Sequence, residues 1–183
     1  MRKYFSSLLL ILVVLQGCAA LKPPVRKVID NTFYSSSPKM EVTVSPNFRY
    51  MGKEYSWVGT EEHHRGVNID FYSRGFGFLD SDRTFLINIM EAPGNAYWLH
   101  PSSSFANIKN KLDDGKTTLG HHEYQYCTFK SGNYIVKIFA RNVYADTVQV
   151  QLRYAEPVIN DAASKQEELE AFNKNCEAAF TVK

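Results

Sequence analysis

The sequence has no marked excess of charge of either sign and no long hydrophobic run. Its 183 residues carry 21 Lys and Arg against 19 Asp and Glu, so it lacks the basic surplus with which a nucleic-acid-binding protein neutralises phosphates. The apolar run Leu8 to Leu15 would rise only about 12 Å as a helix, far less than the ~30 Å of a hydrocarbon core. These features argue against an electrostatic nucleic-acid binder and against a membrane span in this run.

Spacings that carry catalysis are also scarce. The chain has three cysteines and five histidines, and neither C-x-x-C nor H-E-x-x-H occurs, so the sequence indicates neither a redox dithiol nor a zinc-protease helix. It also lacks the G-x-S-x-G elbow and the glycine-rich phosphate loops of the Walker and Rossmann types. With 44% hydrophobic and 14% aromatic residues, the chain can form a core, and its length fits one ordinary domain.

The N-terminus has the pattern of an export signal. Arg2 and Lys3 precede the apolar run, which ends in Leu15-Gln16-Gly17-Cys18. A positive start followed by a short apolar block is typical of a secretory signal peptide. Leu-x-Gly-Cys at the end of such a block resembles the lipobox of bacterial lipoproteins. The resemblance implies a diacylglyceryl group on the Cys18 thiol, cleavage after Gly17 and acylation of the new amino group.

The same resemblance predicts where the protein is located. Ala19 follows the cysteine at the position where an inner-membrane retention signal usually has Asp, so the expected location is the outer membrane, facing the periplasm. Two or more acyl chains anchor a protein stably, because each buried CH₂ contributes about 0.8 kcal/mol. Removal of residues 1–17 takes away Arg2 and Lys3 and leaves a chain without net charge. The expected partner of the N-terminus is therefore the lipid bilayer.

The mature chain divides into a tether and one domain. Residues 18–38 are predicted to form the lipidated cysteine and an extended tether, since Pro23-Pro24 stiffens the beginning and a serine run precedes Pro38. In the alternative, the segment from Val28 to Phe33 packs on the domain. Residues 39–183 are predicted to form a single globular domain.

Periodicity within the domain predicts mainly strands. Period-two alternation and turn signals indicate strands at 41–45, 54–58, 67–72, 84–91, 124–130, 134–141 and 146–154. Helical spacing indicates a short helix at 102–112, ended by Gly115, and a longer one at 161–179. The segment 74–78, which contains Gly75 and Gly77, is predicted to be a loop. Hairpin-linked strands with these helices predict an α+β fold, an antiparallel sheet with a short central helix and a C-terminal helix packed on one face. The alternative is a β-sandwich with a C-terminal helix.

The end of the chain also resembles a known domain type. A closing helix that runs into Glu177-Ala178-Ala179-Phe180-Thr181-Val182 is similar in layout to PsbP-type domains, although Ser45-Pro46-Asn47-Phe48 lacks the Trp expected near the domain entry. The resemblance implies an accessory or assembly role without catalysis, and it transfers no functional residues.

Two cysteines remain once Cys18 is acylated. Cys127 lies on a predicted strand and Cys176 on the apolar stripe of the last helix. An even number of cysteines in an oxidising compartment favours a disulfide, which would close a loop of about 50 residues and contribute ~4 kcal/mol. The alternatives are two buried free thiols, a redox pair, or a catalytic Cys127 beside the nearby histidines.

Four histidines form the only arrangement that suggests a metal. His63-His64 and His121-His122 adjoin glutamates, and imidazole and carboxylate both bind Zn²⁺. Adjacent strand residues point to opposite faces, however, so each doublet offers one ligand to a shared ion. No metal or other cofactor is predicted, and these four histidines are the candidates if one binds.

Aromatic residues next to glycine and proline are the candidate contact residues. Tyr and Trp anchor protein and glycan contacts when they are exposed, and they plug loops when they are buried. Trp98 is the first choice, followed by Tyr97, Trp57 and Tyr55, while Phe76 and Phe78 belong to the glycine-rich segment.

Three functions are consistent with these features. The first is a membrane-anchored, non-catalytic binding or assembly module that contacts another envelope protein or a glycan. The second is a metal-dependent envelope hydrolase that uses the histidine doublets with nearby glutamates. The third is a carrier of a small apolar ligand, which requires a cavity of several hundred Å³ beside the sheet.

Overall fold

The computed structural model describes residues 23–62, 68–94, 96–158 and 164–183, with only the backbone course for 53–62 and 68–72. The elements in these residues are, in chain order, β1 (Arg26–Ile29), β2 (Thr32–Ser36), β3 (Lys39–Val44), β4 (Arg49–Glu62), β5 (Asn68–Asp80), β6 (Arg83–Glu91), α1 (Pro101–Ala106), β7 (Lys111–Leu119), β8 (His122–Ser131), β9 (Tyr134–Val143), β10 (Val148–Pro157), α2 (Lys165–Ala179) and β11 (Phe180–Val182).

The strands form two antiparallel sheets. The large sheet has the order β4-β5-β6-β10-β9-β8-β7, and the small sheet has the order β1-β2-β3-β11. The large sheet is built from hairpins, apart from the β6–β10 pair in its middle, whose register places Ile87 opposite Leu152. The α+β class with antiparallel strands is confirmed. The small sheet is an addition to the predicted single sheet.

The core lies between the two sheets, and α2 completes it. Phe33 of the small sheet packs on Phe76 of the large sheet, with ring centroids 4.6 Å apart. From α2, Phe172 packs on Tyr154 at 5.5 Å. The small sheet and α2 therefore cover the same face of the large sheet, which is called the inner face below. The opposite, outer face carries α1, where Phe105 packs with Cys127 and Ala140.

The segment before the packed domain is shorter than the tether predicted for residues 18–38. Residues 26–36 form β1 and β2, so the docking alternative describes them and the extended prediction is wrong for them. The physical reason is Phe33, whose side chain is fully buried between the sheets. Burial of an aromatic ring of this size stabilises the hairpin in its packed position on the domain. Packed structure thus begins at Arg26 rather than at residue 39.

Two local predictions are corrected. The glycine-rich segment 74–78 is part of β5. Phe76 and Phe78 point inward, at 1% and 2% exposure, while Gly75 and Gly77 occupy the alternate positions on the outer face. The predicted helix at 102–112 ends at Ala106, and Gly115 lies within β7. Phe105 and Ile108 pack on the outer face, whereas Leu112 packs against the inner core, so one helix cannot place all three.

The C-terminal half follows its sequence pattern more closely. The β8–β9 hairpin turns at Gly132, whose φ is +59°, as the Ser-Gly-Asn signal predicts. On β10, Val150, Leu152 and Tyr154 are fully buried. The predicted helix at 161–179 is α2, where the side chain of Ser164 accepts a hydrogen bond from the backbone N–H of Glu167 as N-cap. Asp161 lies outside the described residues.

Candidate functional site

A cleft of about 370 Å³ opens between α2 and the edge of the large sheet. Its apolar lining comes from strand residues Leu119 and Phe139 and from Phe180 at the start of β11. Polar groups surround this lining and come from β7, β9 and α2. They are Asp113, Lys116, Thr117, Lys137, Asn173 and Glu177. Apolar walls with a few convergent polar groups are the usual form of a small-ligand site.

Strand register brings the aromatic wall of the cleft together. Tyr126 lies directly opposite Phe139 on the inner face, with ring centroids 6.3 Å apart. On the other side, Tyr126 lies opposite Gly115 of β7. A Cβ at Gly115 would lie 3.3 Å from the Tyr126 ring, so the missing side chain lets the ring rest against the edge strand. The glycine that was expected to end a helix therefore shapes the cleft wall.

Lys137 brings a positive charge to the aromatic wall. Its Nζ lies 4.5 Å from the ring centroid of Tyr126 and 5.5 Å from that of Phe139, which are cation–π distances. The same Nζ donates a hydrogen bond to Oδ1 of Asn173 on α2, at 2.9 Å. Within the described residues no carboxylate lies within 4.0 Å of this ammonium. The ammonium is therefore held in place without a paired negative charge.

The Tyr126 hydroxyl and the Cys176 thiol of the cleft are protonated at neutral pH. Burial, followed by hydrogen bonding to the Asp113 carboxylate, raises the pKa of the Tyr126 hydroxyl. Burial raises the pKa of the Cys176 thiol to about 12, against the opposing effect of Lys137. Because the thiolate is the nucleophilic form, Cys176 is inert at this position. The cleft supplies hydrogen bonds, ring faces and charges of both signs, with the Lys137 ammonium lying against the aromatic wall.

A second cavity, of about 390 Å³, lies between the small sheet and the β7–β8 turn. Its lining includes Tyr34, Ser35, Glu41, His122 and Lys183. Lys183 Nζ pairs with Glu41 Oε1 at 2.8 Å. Burial, followed by the charges of Arg141 and His121, lowers the pKa of His122. Lys183 is thus paired and His122 is neutral at pH 7, and the exposed Lys39 also lines this cavity.

The predicted contact residues differ in exposure. Tyr97 is 45% exposed, whereas Trp98 is 7% exposed and packs on Met90 and Ala92. The first choice, Trp98, is therefore corrected to a packing residue of the outer face. Its burial follows from the backbone, since Trp98 N–H donates to the Asp146 carbonyl at 2.7 Å and so pins the loop to the β9–β10 turn. Tyr55 and Trp57 lie on β4, where only the backbone is described.

The structure describes one of the two histidine doublets. His121 and His122 lie at the β7–β8 turn, and His63 and His64 lie outside the described residues. Among the residues that are described, no group of three or more His, Cys, Asp and Glu side chains is placed to hold a metal ion. The metal-dependent hydrolase stays a prediction.

The predicted disulfide is absent, and its geometry explains why. Cys127 and Cys176 are both free and buried. Cys127 belongs to the outer-face cluster with Phe105, whereas Cys176 belongs to the inner core. On a strand, neighbouring residues face opposite ways, and Cys127 is one position away from Tyr126, which faces inward. A bond between them would have to pass through the sheet, so the alternative of two buried free thiols is correct.

One signal in the sequence pointed to the cleft residues, which are not among the predicted site residues. A two-residue turn at Gly132-Asn133 fixes the β8–β9 register, and that register places Tyr126 opposite Phe139. Lys137 belongs to the same inner face. What the sequence did not show was that α2 and β7 cover this face incompletely.

Comparison with known proteins assigns the chain to no family. No family model, curated protein or solved structure matches the chain. Within the described residues, neither helix has the length and apolar character that a membrane crossing requires.

Proposed function

We propose that the protein is a non-catalytic binding module, anchored by acyl chains on Cys18 in the periplasmic leaflet of a bacterial outer membrane. The signal-like N-terminus and the Leu-Gln-Gly-Cys motif support the anchor. The start of β1 at Arg26 leaves only a short segment between Cys18 and the packed domain. Such a segment suits a protein that works close to its membrane.

The α2 cleft is the binding site in this proposal. Its ligand is a small amphiphilic acid, with an apolar body against Phe139 and Phe180 and an acidic group near Lys137. The observation that carries this assignment is the Lys137 ammonium, which lies over the Tyr126 ring and 2.9 Å from Asn173 Oδ1 without a carboxylate partner among the described residues. An ammonium fixed in this way can pair with an incoming anion at little further cost in side-chain entropy.

Replacement of Lys137 by methionine tests this assignment. The assay uses the mature chain with Cys18→Ser, so that no lipid competes for the probe, and two fluorescent probes with the same aromatic body. Anilinonaphthalene sulfonate is anionic and phenylnaphthylamine is neutral. We expect Lys137→Met to weaken binding of the anionic probe about tenfold, since a charge-assisted hydrogen bond contributes ~1.5–3 kcal/mol. Binding of the neutral probe should change little, because methionine keeps the apolar stem.

Lys174→Met is the matched control. Lys174 lies on the same helix and is exposed, so its replacement changes the net charge equally without altering the cleft. Equal losses for both probes in Lys137→Met would show damage to the cleft rather than a lost ion pair. Equal losses for the anionic probe in both lysine variants would show general electrostatic attraction. Either result contradicts the assignment, and so does unchanged binding of the anionic probe to Lys137→Met.

A further inference from the structure

One end of the domain contains the entry of the N-terminal segment and a group of exposed apolar side chains. At this end lie Val25, which precedes β1, the turn at Ser37 and Pro38, and the β9–β10 turn that begins at Tyr144. Hydrogen bonds join these parts, since the Ser37 hydroxyl lies 3.0 Å from the Tyr144 hydroxyl. The loop with Tyr97 adjoins them through the Trp98–Asp146 backbone bond. This group of residues is called the tether end.

The tether end exposes more apolar and aromatic surface than its position on polar turns would require. Val25 is 60% exposed, Tyr144 is 53% exposed and Tyr97 is 45% exposed. Tyrosine has an apolar ring and a polar hydroxyl, and it is enriched where hydrocarbon meets the headgroups of a bilayer. The composition of this surface therefore fits a membrane interface.

The Tyr144 side chain projects from a turn with a well-defined backbone conformation. Tyr144, Ala145 and Asp146 all have positive φ, at 55°, 51° and 64°, which is unusual for three consecutive residues other than glycine. The Tyr144 carbonyl accepts hydrogen bonds from the hydroxyl and the N–H of Thr147, at 2.8 and 3.2 Å. Tyr144 is thus held outward by a specific and costly turn.

The charges at this end do not oppose contact with a membrane. Arg26 pairs with Glu91 at 2.6 Å and Lys183 pairs with Glu41 at 2.8 Å. The exposed Lys39 and Asp146 carry opposite signs. The surface is close to neutral, so its affinity for a bilayer has to come from apolar side chains and from the anchor.

We propose that the tether end rests on the bilayer surface, with Tyr97 and Tyr144 at the level of the lipid headgroups. This inference depends on acylation of Cys18, which belongs to the proposed function. Six residues lie between Cys18 and Val25, and even when fully extended the seven steps from one to the other span only about 25 Å. The anchor therefore keeps Val25, at the tether end, within about 25 Å of the acylated cysteine.

The β4–β5 hairpin extends past the same end of the large sheet. Tyr72 is level with Glu91, the last residue of β6, and the pairs from Val58–Phe71 to Glu62–Asn68 continue beyond it. The hairpin lies at the other side of the sheet, separated from β9 by β6 and β10, and strand twist of about 20° per pair turns it away from the tyrosine loops. The hairpin is therefore the alternative part of the domain that could contact the membrane, and the test below includes a label on it.

Site-directed fluorescence quenching tests the docking. A single environment-sensitive label is placed at Tyr144→Cys, Tyr97→Cys, Tyr134→Cys or Thr60→Cys in the full acylated protein. The protein is reconstituted in phosphatidylethanolamine and phosphatidylglycerol vesicles that contain spin-labelled headgroups. Cys127 and Cys176 are buried and remain unlabelled in the folded protein. Tyr134 is the matched control, because it is 40% exposed at the opposite end of β9, about 33 Å from Tyr144.

We expect several-fold stronger quenching at positions 97 and 144 than at position 134. Equal quenching at 97, 144 and 134 would overturn the docking, and so would strong quenching at 60 alone, which would show contact through the hairpin. Since Tyr144→Cys alters a strained turn, Tyr97→Cys provides an independent reading. Labelled palmitate is measured on the same samples. A protein that takes up palmitate but quenches uniformly refutes the docking and leaves the anchor intact, whereas a protein without palmitate refutes the anchor itself.

Discussion

Replacement of Phe180 by alanine is expected to lower the free energy of unfolding by about 3–4 kcal/mol, within the range for large-to-small changes in cores. Phe180 is 8% exposed and lies where α2 passes into the small sheet. Its ring stacks on Phe85 with centroids 4.4 Å apart and meets Phe139 edge-on at 5.8 Å. The truncation would leave a cavity between both sheets that a backbone paired with Val44 cannot close.

Urea or thermal unfolding of the soluble mature chain measures this loss. Tyr134→Ala is the control, because Tyr134 is 40% exposed and its replacement should change the free energy by less than about 0.5 kcal/mol. A loss below about 1 kcal/mol for Phe180→Ala would mean that β11 does not join the two sheets as described.

The second large effect concerns the ion pair that holds β1 against the large sheet. The Arg26 side chain is 3% exposed, whereas the side chain of its partner Glu91 is 34% exposed. Arg26 Nη2 donates to Glu91 Oε1 at 2.6 Å and to the Ser37 carbonyl at 2.9 Å. The Nε and Nη1 atoms are buried and have no hydrogen-bond partner among the described residues. The guanidinium is therefore buried with most of its donors unused.

Because of this arrangement, replacing Glu91 and replacing Arg26 are expected to lower the free energy of unfolding by unequal amounts. Glu91→Ala is expected to cost about 3 kcal/mol, because it leaves a buried cation without its counter-charge. Arg26→Met is expected to cost about 1 kcal/mol or less, since methionine fills similar space and removes unused donors. Unfolding of both single variants and of the double variant measures the asymmetry. The double variant should be more stable than Glu91→Ala, and the opposite order would contradict the burial of Arg26.

The strands of the C-terminal half were predictable because one face of each is buried. On β10, alternate residues face the core, and the pattern Val-Gln-Val-Gln-Leu-Arg-Tyr shows this directly. Even on β10 the outer face is not fully exposed to solvent, since the outward-facing Gln149 is only 3% exposed. It is buried because its amide donates to Asn142, whose own amide donates to the Leu99 carbonyl and so holds a loop over the sheet.

The errors in the first half have a common physical cause. Residues 26–36 and 74–78 contain serine or glycine, which usually indicate loops, yet the first segment contributes the buried Phe33 and the second the buried Phe76 and Phe78. Tertiary packing of Phe33 against Phe76 outweighs the local preference of the residues around them. A pattern read along one segment could not show that the two segments meet.

The candidate site depended on the same kind of long-range information. Tyr126, Phe139 and Lys137 share a face that the β8–β9 hairpin alone predicts. The cleft also requires Asn173 of α2 and Gly115 of β7, and β7 was predicted to be the end of a helix. Likewise, the exposure of Tyr97 and the burial of Trp98 follow from the contact between their loop and the β9–β10 turn, which no sequence motif indicates.

The most direct test of the account is metabolic labelling of Cys18. Cells that express the wild-type chain or Cys18→Ser are given labelled palmitate, and membranes are separated from soluble protein. Palmitate is expected to enter the wild-type mature chain, and globomycin is expected to block its processing. Cys18→Ser should carry no label and appear in the soluble fraction. A mature wild-type chain without palmitate, or processing that globomycin does not affect, would contradict the lipid anchor and with it the proposed place of work at the membrane.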